Sequence, residues 1–263
     1  MPLMTSKEKE IITYLYTAER DVREVVKVTD DYPELTIQEA YELQEGLLAR
    51  KMVENRTKRV GAKLGLTSKA KQEMMGVNEA IYGELHNDML AYEWEPVNRA
   101  KLIHPKAEPE IAFLMGKDLQ GADITEKDVI NATKYVAPAV EIIDSRYKDF
   151  KFTLVDVVAD NCSSAKFIVG SKWISPDSVD LGNVGMVMTK NGKVAATGSS
   201  AAVLGHPATA ITWAVHQLAA RGKGLKKGDI ILSGAMSGAI AFDSGDSIIA
   251  EFDNLGSVSM FCK

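Results

Sequence analysis

Three carboxylates stand in otherwise apolar surroundings near the middle of the chain: Glu108, Glu110 and Glu141. A single residue, Pro109, separates the first two. Side chains of a strand alternate between its faces, so Glu108 and Glu110 would point the same way. Glu141 lies in Val140-Glu141-Ile142-Ile143, a β-branched run that also reads as a strand. Bringing it beside the first pair would gather three negative charges in low dielectric, which is strongly unfavourable. A divalent cation resolves that conflict. Ligands that are all oxygen select a hard ion, Mg²⁺ or Mn²⁺, over zinc. The same residues also fit a plainer arrangement, with two solvated glutamates on an edge strand and Glu141 in a salt bridge. Pro109 favours an edge or a bulge, because proline cannot donate to a ladder.

Other residues could join such a site. Lys63 lies in a strand between Gly61 and Gly65, where little bulk surrounds it. It could enter a cleft, although its spacing by itself favours an exposed lysine. Asp160-Asn161-Cys162-Ser163-Ser164 is a polar run between apolar segments, read as a loop of the kind that carries sites or as a plain turn. Cys162 has no histidine near it in sequence and makes a poor nucleophile. Ser233 to Gly238 exposes backbone N–H groups that could cradle a carboxylate. Arg146 could bind an anion or pair with Asp144 or another neighbour. His86, His104 and His216 form no HxxxH or HExxH pattern, which disfavours zinc hydrolysis, and His206 before Pro207 suits a helix cap. GAKLG lacks the spacing of a phosphate loop.

Composition narrows the function classes. The 263 residues carry a net charge of −5 and no long basic block, which argues against nucleic acid and anionic membranes as partners. Two distant cysteines, Cys162 and Cys262, suit a reducing cytosol. The start, MPLMTSKEKE, lacks the apolar core of a signal peptide, and no window matches a transmembrane helix. A soluble, cytoplasmic protein is expected.

The elements that must hold these residues follow from periodicity. Ile11, Ile12, Leu15 and Tyr16 mark a helix over 6–27, and Thr36 with Glu39 forms a capping box for a second one. Residues 1–57 therefore read as a helical N-terminal subdomain. From Val60 onward strands dominate, and residues 58–263 read as the catalytic domain. Strands are expected at 61–67, 93–97, 230–232, 247–252 and 257–261, and at the carboxylate segments. Asn191-Gly192 marks a tight hairpin between 186–189 and 194–197. Short helices are expected at 68–76, from 123 to about 134, and at 207–221. The fold class is α+β.

Several segments together resemble a known family. GAKLGLTS, GVNEAIYGEL, HPKAEPEIAF, VEIIDSRYKDFKFTLVDVVADNCSS, LGHPATAITW and GDIILSGAMSGAI are similar, in order and over nearly the whole chain, to the hydratase/decarboxylase branch of the fumarylacetoacetase-like superfamily. LIHPK, IDSRYKDFKF and VVADN are most similar to its decarboxylases, and Asn78 stands where hydratases often carry an acid. The resemblance implies a mixed β-roll with a divalent metal, Mg²⁺ or Mn²⁺, on Glu108, Glu110 and Glu141. It implies Lys63 as the catalytic residue, with Leu66, Asp160, Asn161, Ser163, Ser164 and Ser237 binding substrate. The implied reaction is decarboxylation of 2-oxo-3-hexenedioate, a small 2-oxo dicarboxylate. Hydration of 2-hydroxypenta-2,4-dienoate is the alternative, and a non-catalytic scaffold subunit is a third possibility. A homo-oligomer and a complex with the pathway hydratase are the implied partners.

Overall fold

The structure, a computed structural model, describes residues 4–263. Its helices are α1 (Ser6–Arg20), α2 (Val28–Asp31), α3 (Ile37–Glu54), α4 (Lys69–Met75), α5 (Glu126–Ala132), α6 (Leu154–Ala159) and α7 (Pro207–Ala220). Its first six strands are β1 (Arg59–Gly65), β2 (Ile81–His86), β3 (Leu90–Ala91), β4 (Lys106–Met115), β5 (Thr133–Ile143) and β6 (Ser164–Val169). The others are β7 (Gly185–Lys190), β8 (Lys193–Ser199), β9 (Ile230–Leu232), β10 (Ile240–Ala241), β11 (Ser247–Phe252) and β12 (Gly256–Phe261).

The α+β expectation holds: N-terminal helices precede a curled mixed sheet. The larger sheet runs β2-β1-β9-β4-β5-β6-β3, with β10 also on β4. The smaller sheet, β12-β11-β7-β8, packs on it through Met186, Met188, Ile248, Ala250, Val258 and Met260, which meet Val136, Val140 and Ile142 of β5. The Asn191-Gly192 turn joins β7 to β8 with φ of +54° and +73°, as a type I′ turn requires. A separate apolar cluster joins α1 and α3 to Ile81, Tyr147 and the α6 residues Val157, Val158 and Ala159.

Capping boxes set several helix starts. Thr36 and Glu39 cap each other at α3, as expected, and Thr5 with Glu8 does the same at α1. α1 ends at Arg20 rather than near Lys27, because the chain after it is taken into a bridge between Val25 and Tyr147. α5 stops at Ala132, and Thr133 begins β5 at once. Residues 154–159, for which no helix was expected, form α6, capped by Thr153 and Asp156. Residues 93–97, expected as a strand, form a turn in which only Val97 bridges to Cys262, while the Glu93 carboxylate accepts from the Ser259 N–H.

The edge position that Pro109 suggested is overturned. β4 lies inside the sheet, between β5 on one side and β9 and β10 on the other. Proline is tolerated there because the ladder on that side is interrupted: β9 pairs with residues 112–114, β10 with 106–107, and the loop between them crosses Pro109. The Met236 N–H donates to the Pro109 carbonyl at 3.0 Å, so no donor is asked of Pro109 itself.

Candidate active site

The register of β4 and β5 pairs Glu108 with Glu141 directly across the ladder. Glu110 follows on the same face, and ligand atoms of all three carboxylates lie within 4.8 Å of one another. All three residues are buried. Lys63 reaches Glu141 from β1, three places from β5 in the sheet, a span of about 14 Å between flat neighbours. The curl of the sheet closes it: Lys63 Nζ lies 3.0 Å from Glu141 Oε2 and donates to the Cys162 carbonyl at 3.1 Å. Lys71, on α4, completes the charges at 2.6 Å from Glu108 Oε1.

Two lysines thus face three carboxylates, and Glu110 is the carboxylate with none. Its Oε2 accepts from the Gly234 N–H at 2.6 Å, while its Oε1 is buried without a partner among the described residues. Burial, then Glu141 and Glu108, push its pKa well above the ordinary glutamate value. Burial also raises Glu141 against the pull of Lys63 and a 2.8 Å hydrogen bond from the Ser164 hydroxyl. Glu108 goes the other way, since Lys71 and Lys63 outweigh its burial. Burial works against the Lys63 charge, but Glu141, together with Cys162, Glu108 and Glu110, outweighs it and holds the ammonium protonated. Glu141 Oε2 has no aligned donor despite its contact with Lys63. A three-carboxylate cluster with two orphaned oxygens fits a hard divalent cation.

A cavity of about 860 Å³ opens over this cluster, lined by Lys63, Leu66, Lys71, Glu108, Ser163 and Ser237 among others. Its walls include Ile143, Phe150, Phe152, Val157 and Met236. Of the residues expected to bind substrate, Leu66, Ser163 and Ser237 therefore line the cavity. Ser163 Oγ is buried without a partner among the described residues, so it is free to meet a ligand.

Asp160, Asn161 and Ser164 are not on the cavity wall. Asp160 is fully buried and its Oδ1 meets Arg146 Nε at 2.5 Å. The Asn161 amide is used up on the Glu84 backbone, accepting from its N–H at 2.9 Å and donating to its carbonyl at 3.0 Å. Ser164 holds Glu141 instead of a ligand. Arg146 pairs with Asp160 rather than Asp144, whose carboxylate accepts from the Ile103 and His104 N–H groups. Asn78 is exposed and off the cavity wall, which gives its choice between the two chemistries no geometric support. His206 is a helix cap, its Nδ1 accepting from Ala208 N–H at 3.0 Å.

Three consecutive non-glycine residues, Asn161, Cys162 and Ser163, have φ of +49°, +54° and +58°. Each such residue costs roughly 1–2 kcal/mol. The strained turn aims the Cys162 carbonyl at Lys63 and the Ser163 hydroxyl at the cavity. The glycine-rich loop after β9 does cradle a carboxylate, but that of Glu110. Gly234 serves at φ +114°, where an added Cβ would lie 2.1 Å from Thr67 Oγ1. Lys71 and Lys106 escaped the sequence reading. Lys106 had a visible signal, since it precedes Glu108 at the same two-residue spacing as Glu110 follows.

The sequence profile of the fumarylacetoacetate (FAA) hydrolase C-terminal family matches residues 66–260. The chain belongs to this family. Among FAA hydrolase relatives, a 4-oxalocrotonate decarboxylase of Pseudomonas putida is 44% identical over 246 residues, 94% of this chain and 93% of that one. A 2-hydroxyhexa-2,4-dienoate hydratase of Comamonas testosteroni is 39% identical over 248 residues, 94% of each chain. The structure of 4-oxalocrotonate decarboxylase from Pseudomonas putida G7, complexed with magnesium and adipate, superposes with a TM-score of 0.95 at 41% identity, covering 99% of both chains. That likeness supports the β-roll expected from the sequence.

Proposed function

We propose that this protein is a metal-dependent decarboxylase of 2-oxo-3-hexenedioate, with Glu108, Glu110 and Glu141 holding Mg²⁺ or Mn²⁺ and Lys63 as the catalytic residue. The observation that carries the choice of reaction is the absence of a free base on the described cavity wall. Hydration of a dienoate must activate water, and that needs a group able to take a proton. Lys63 is held protonated, the lining carboxylate Glu108 is paired with Lys71, and no histidine lines the cavity. Decarboxylation starts without a base. The relatives named decarboxylase support the same choice.

In the reaction the C5–C6 bond breaks and CO₂ leaves. Its electron pair forms the C4–C5 double bond, the C3–C4 pair moves to C2–C3, and the 2-oxygen takes the charge. Glu108, Glu110 and Glu141 would hold a divalent cation, which would supply Lewis acidity where that charge develops. The Lys63 ammonium contributes a second positive charge and a proton donor where the charge develops, giving the 2-hydroxydienoate. Cys162 and Glu141 fix its position. Ser163 and Ser237 orient the acid, and Leu66 packs against its carbon chain. The apolar wall excludes water from the departing carboxylate, which must shed its charge. Asp160, Asn161 and Ser164 act indirectly, by holding the turn and Glu141.

On this reading residues 1–57 are a helical subdomain set against the 58–263 catalytic part. Assembly into a homo-oligomer and association with a hydratase belong to the same proposal. No described helix is long and apolar enough to cross a membrane. The test is incubation of pure protein with Mg²⁺ and 2-oxo-3-hexenedioate, following CO₂ and dienol absorbance. Release of CO₂ with dienol formation is expected. Turnover of the dienoate without CO₂ from the diacid would make it a hydratase, and no turnover of either would leave a scaffold.

A further inference from the structure

Four lysines line the cavity: Lys63, Lys71, Lys106 and Lys151. Lys63 has Glu141, Lys71 has Glu108, and Lys151 has Asp149 at 3.9 Å. Lys106 forms no ion pair among the described residues. Its Nζ lies instead 3.8 Å from the centroid of the Phe150 ring. A ring face attracts a cation without neutralising it, so a net positive charge stands on the cavity wall. The ring is held there at a cost. Asp149 and Phe150 have φ of +56° and +57°, a rare conformation for so bulky a residue as Phe150.

We propose that Lys106 binds the second carboxylate of the substrate and so selects 2-oxo dicarboxylates over 2-oxo monocarboxylates. This rests on the reading that the 2-oxo acid end sits at Glu108, Glu110 and Glu141. Lys106, Glu108 and Glu110 alternate along one face of β4. Lys106 is thus one strand repeat, about 7 Å, beyond Glu108. A six-carbon acid held by its first two carbons extends its other four over roughly 5 Å, a comparable span. The far carboxylate then arrives at the one lining cation that no carboxylate among the described residues has claimed.

The contact is a binding device. The carboxylate it meets loses its charge in the transition state, so the pairing stabilises the ground state more than the transition state. Replacing Lys106 should raise KM for the dicarboxylate while kcat holds or rises, the reverse of a change at Lys63.

The decisive experiment is calorimetry on Mg²⁺-loaded protein with two inert saturated analogues, 2-oxoadipate and 2-oxohexanoate, which lack the double bond that conveys electrons to the 2-oxygen. Wild-type protein should bind 2-oxoadipate about tenfold tighter or more, the scale of one charge-assisted hydrogen bond. Lys106→Met should bring the ratio close to one with 2-oxohexanoate binding unchanged. Lys106→Gln should do the same, and Lys106→Arg should keep the preference. An undiminished preference in Lys106→Met and Lys106→Gln overturns the proposal alone. Failure of wild-type protein to bind either analogue overturns both this assignment and the reading of the site it rests on.

Discussion

Glu108 and Glu141 face each other as direct cross-strand partners on β4 and β5, two like charges at a position where a sheet ordinarily sets complementary ones. Each is compensated separately, Glu108 by Lys71 from α4 and Glu141 by Lys63 from β1. Glu110 is left over, beside both and without a cation. The local electrostatics of the cluster turn on that one residue.

Glu110→Gln should therefore abolish measurable binding of Mg²⁺ or Mn²⁺ in calorimetry and with it metal-dependent turnover. The same change should raise the melting temperature of the metal-free protein, because it removes a buried carboxylate with no cation paired to it among the described residues. Full activity of the variant after EDTA treatment would remove the metal from the mechanism.

The raised pKa of Glu110 and Glu141 has a fixed sign in stability. In the unfolded chain these groups lose their protons near pH 4.5, while in the folded metal-free cluster they hold them to higher pH. Their contribution is fully present below about pH 4.5 and is lost as pH rises through the raised values. EDTA-treated protein should thus lose melting temperature as pH rises above about 4.5, and saturating Mg²⁺ should restore it most at the alkaline end. Binding should also release protons, read as a heat that varies with buffer ionisation enthalpy. A flat melting profile without metal would contradict this.

Lys63→Met should lower kcat by about 10² or more, the usual scale for a positioned proton donor. An effect confined to KM would make Lys63 a binding residue only.

Gly234→Ala should weaken metal binding without touching a ligand. The added methyl must displace Thr67 or move the loop, and the loop carries the N–H that fixes Glu110. Measured metal affinity equal to wild type would show that this N–H is dispensable.

Arg146→Met should destabilise the protein by about 3–5 kcal/mol, because it strands Asp160 as a buried charge. Asp160 anchors the start of the left-handed turn that carries Cys162, so kcat should fall in the fraction that still folds. Denaturant unfolding measures the first effect. A loss under 1 kcal/mol would mean that the Arg146–Asp160 pair contributes little.

By itself the sequence determined the elements whose signals are local. Thr36 with Glu39, His206 with Pro207, and Asn191 with Gly192 each act on neighbours a few residues away, and each sits in the structure where that chemistry puts it. It also determined that Glu108 and Glu110 share a face, since strand alternation needs no knowledge of the fold. The family resemblance extended this to Glu141 and Lys63, which no spacing joins.

Tertiary structure alone decided the rest, because each remaining feature depends on which distant segments meet. Pro109 sits inside a sheet because the loop between β9 and β10 crosses it. The Asn161 and Asp160 side chains, polar and suggestive in sequence, are consumed by Glu84 and Arg146. Lys71 is an ordinary helix lysine until α4 folds over Glu108. A side chain's chemistry is fixed by its type, but whether that chemistry is free to act depends on partners brought in from elsewhere in the chain.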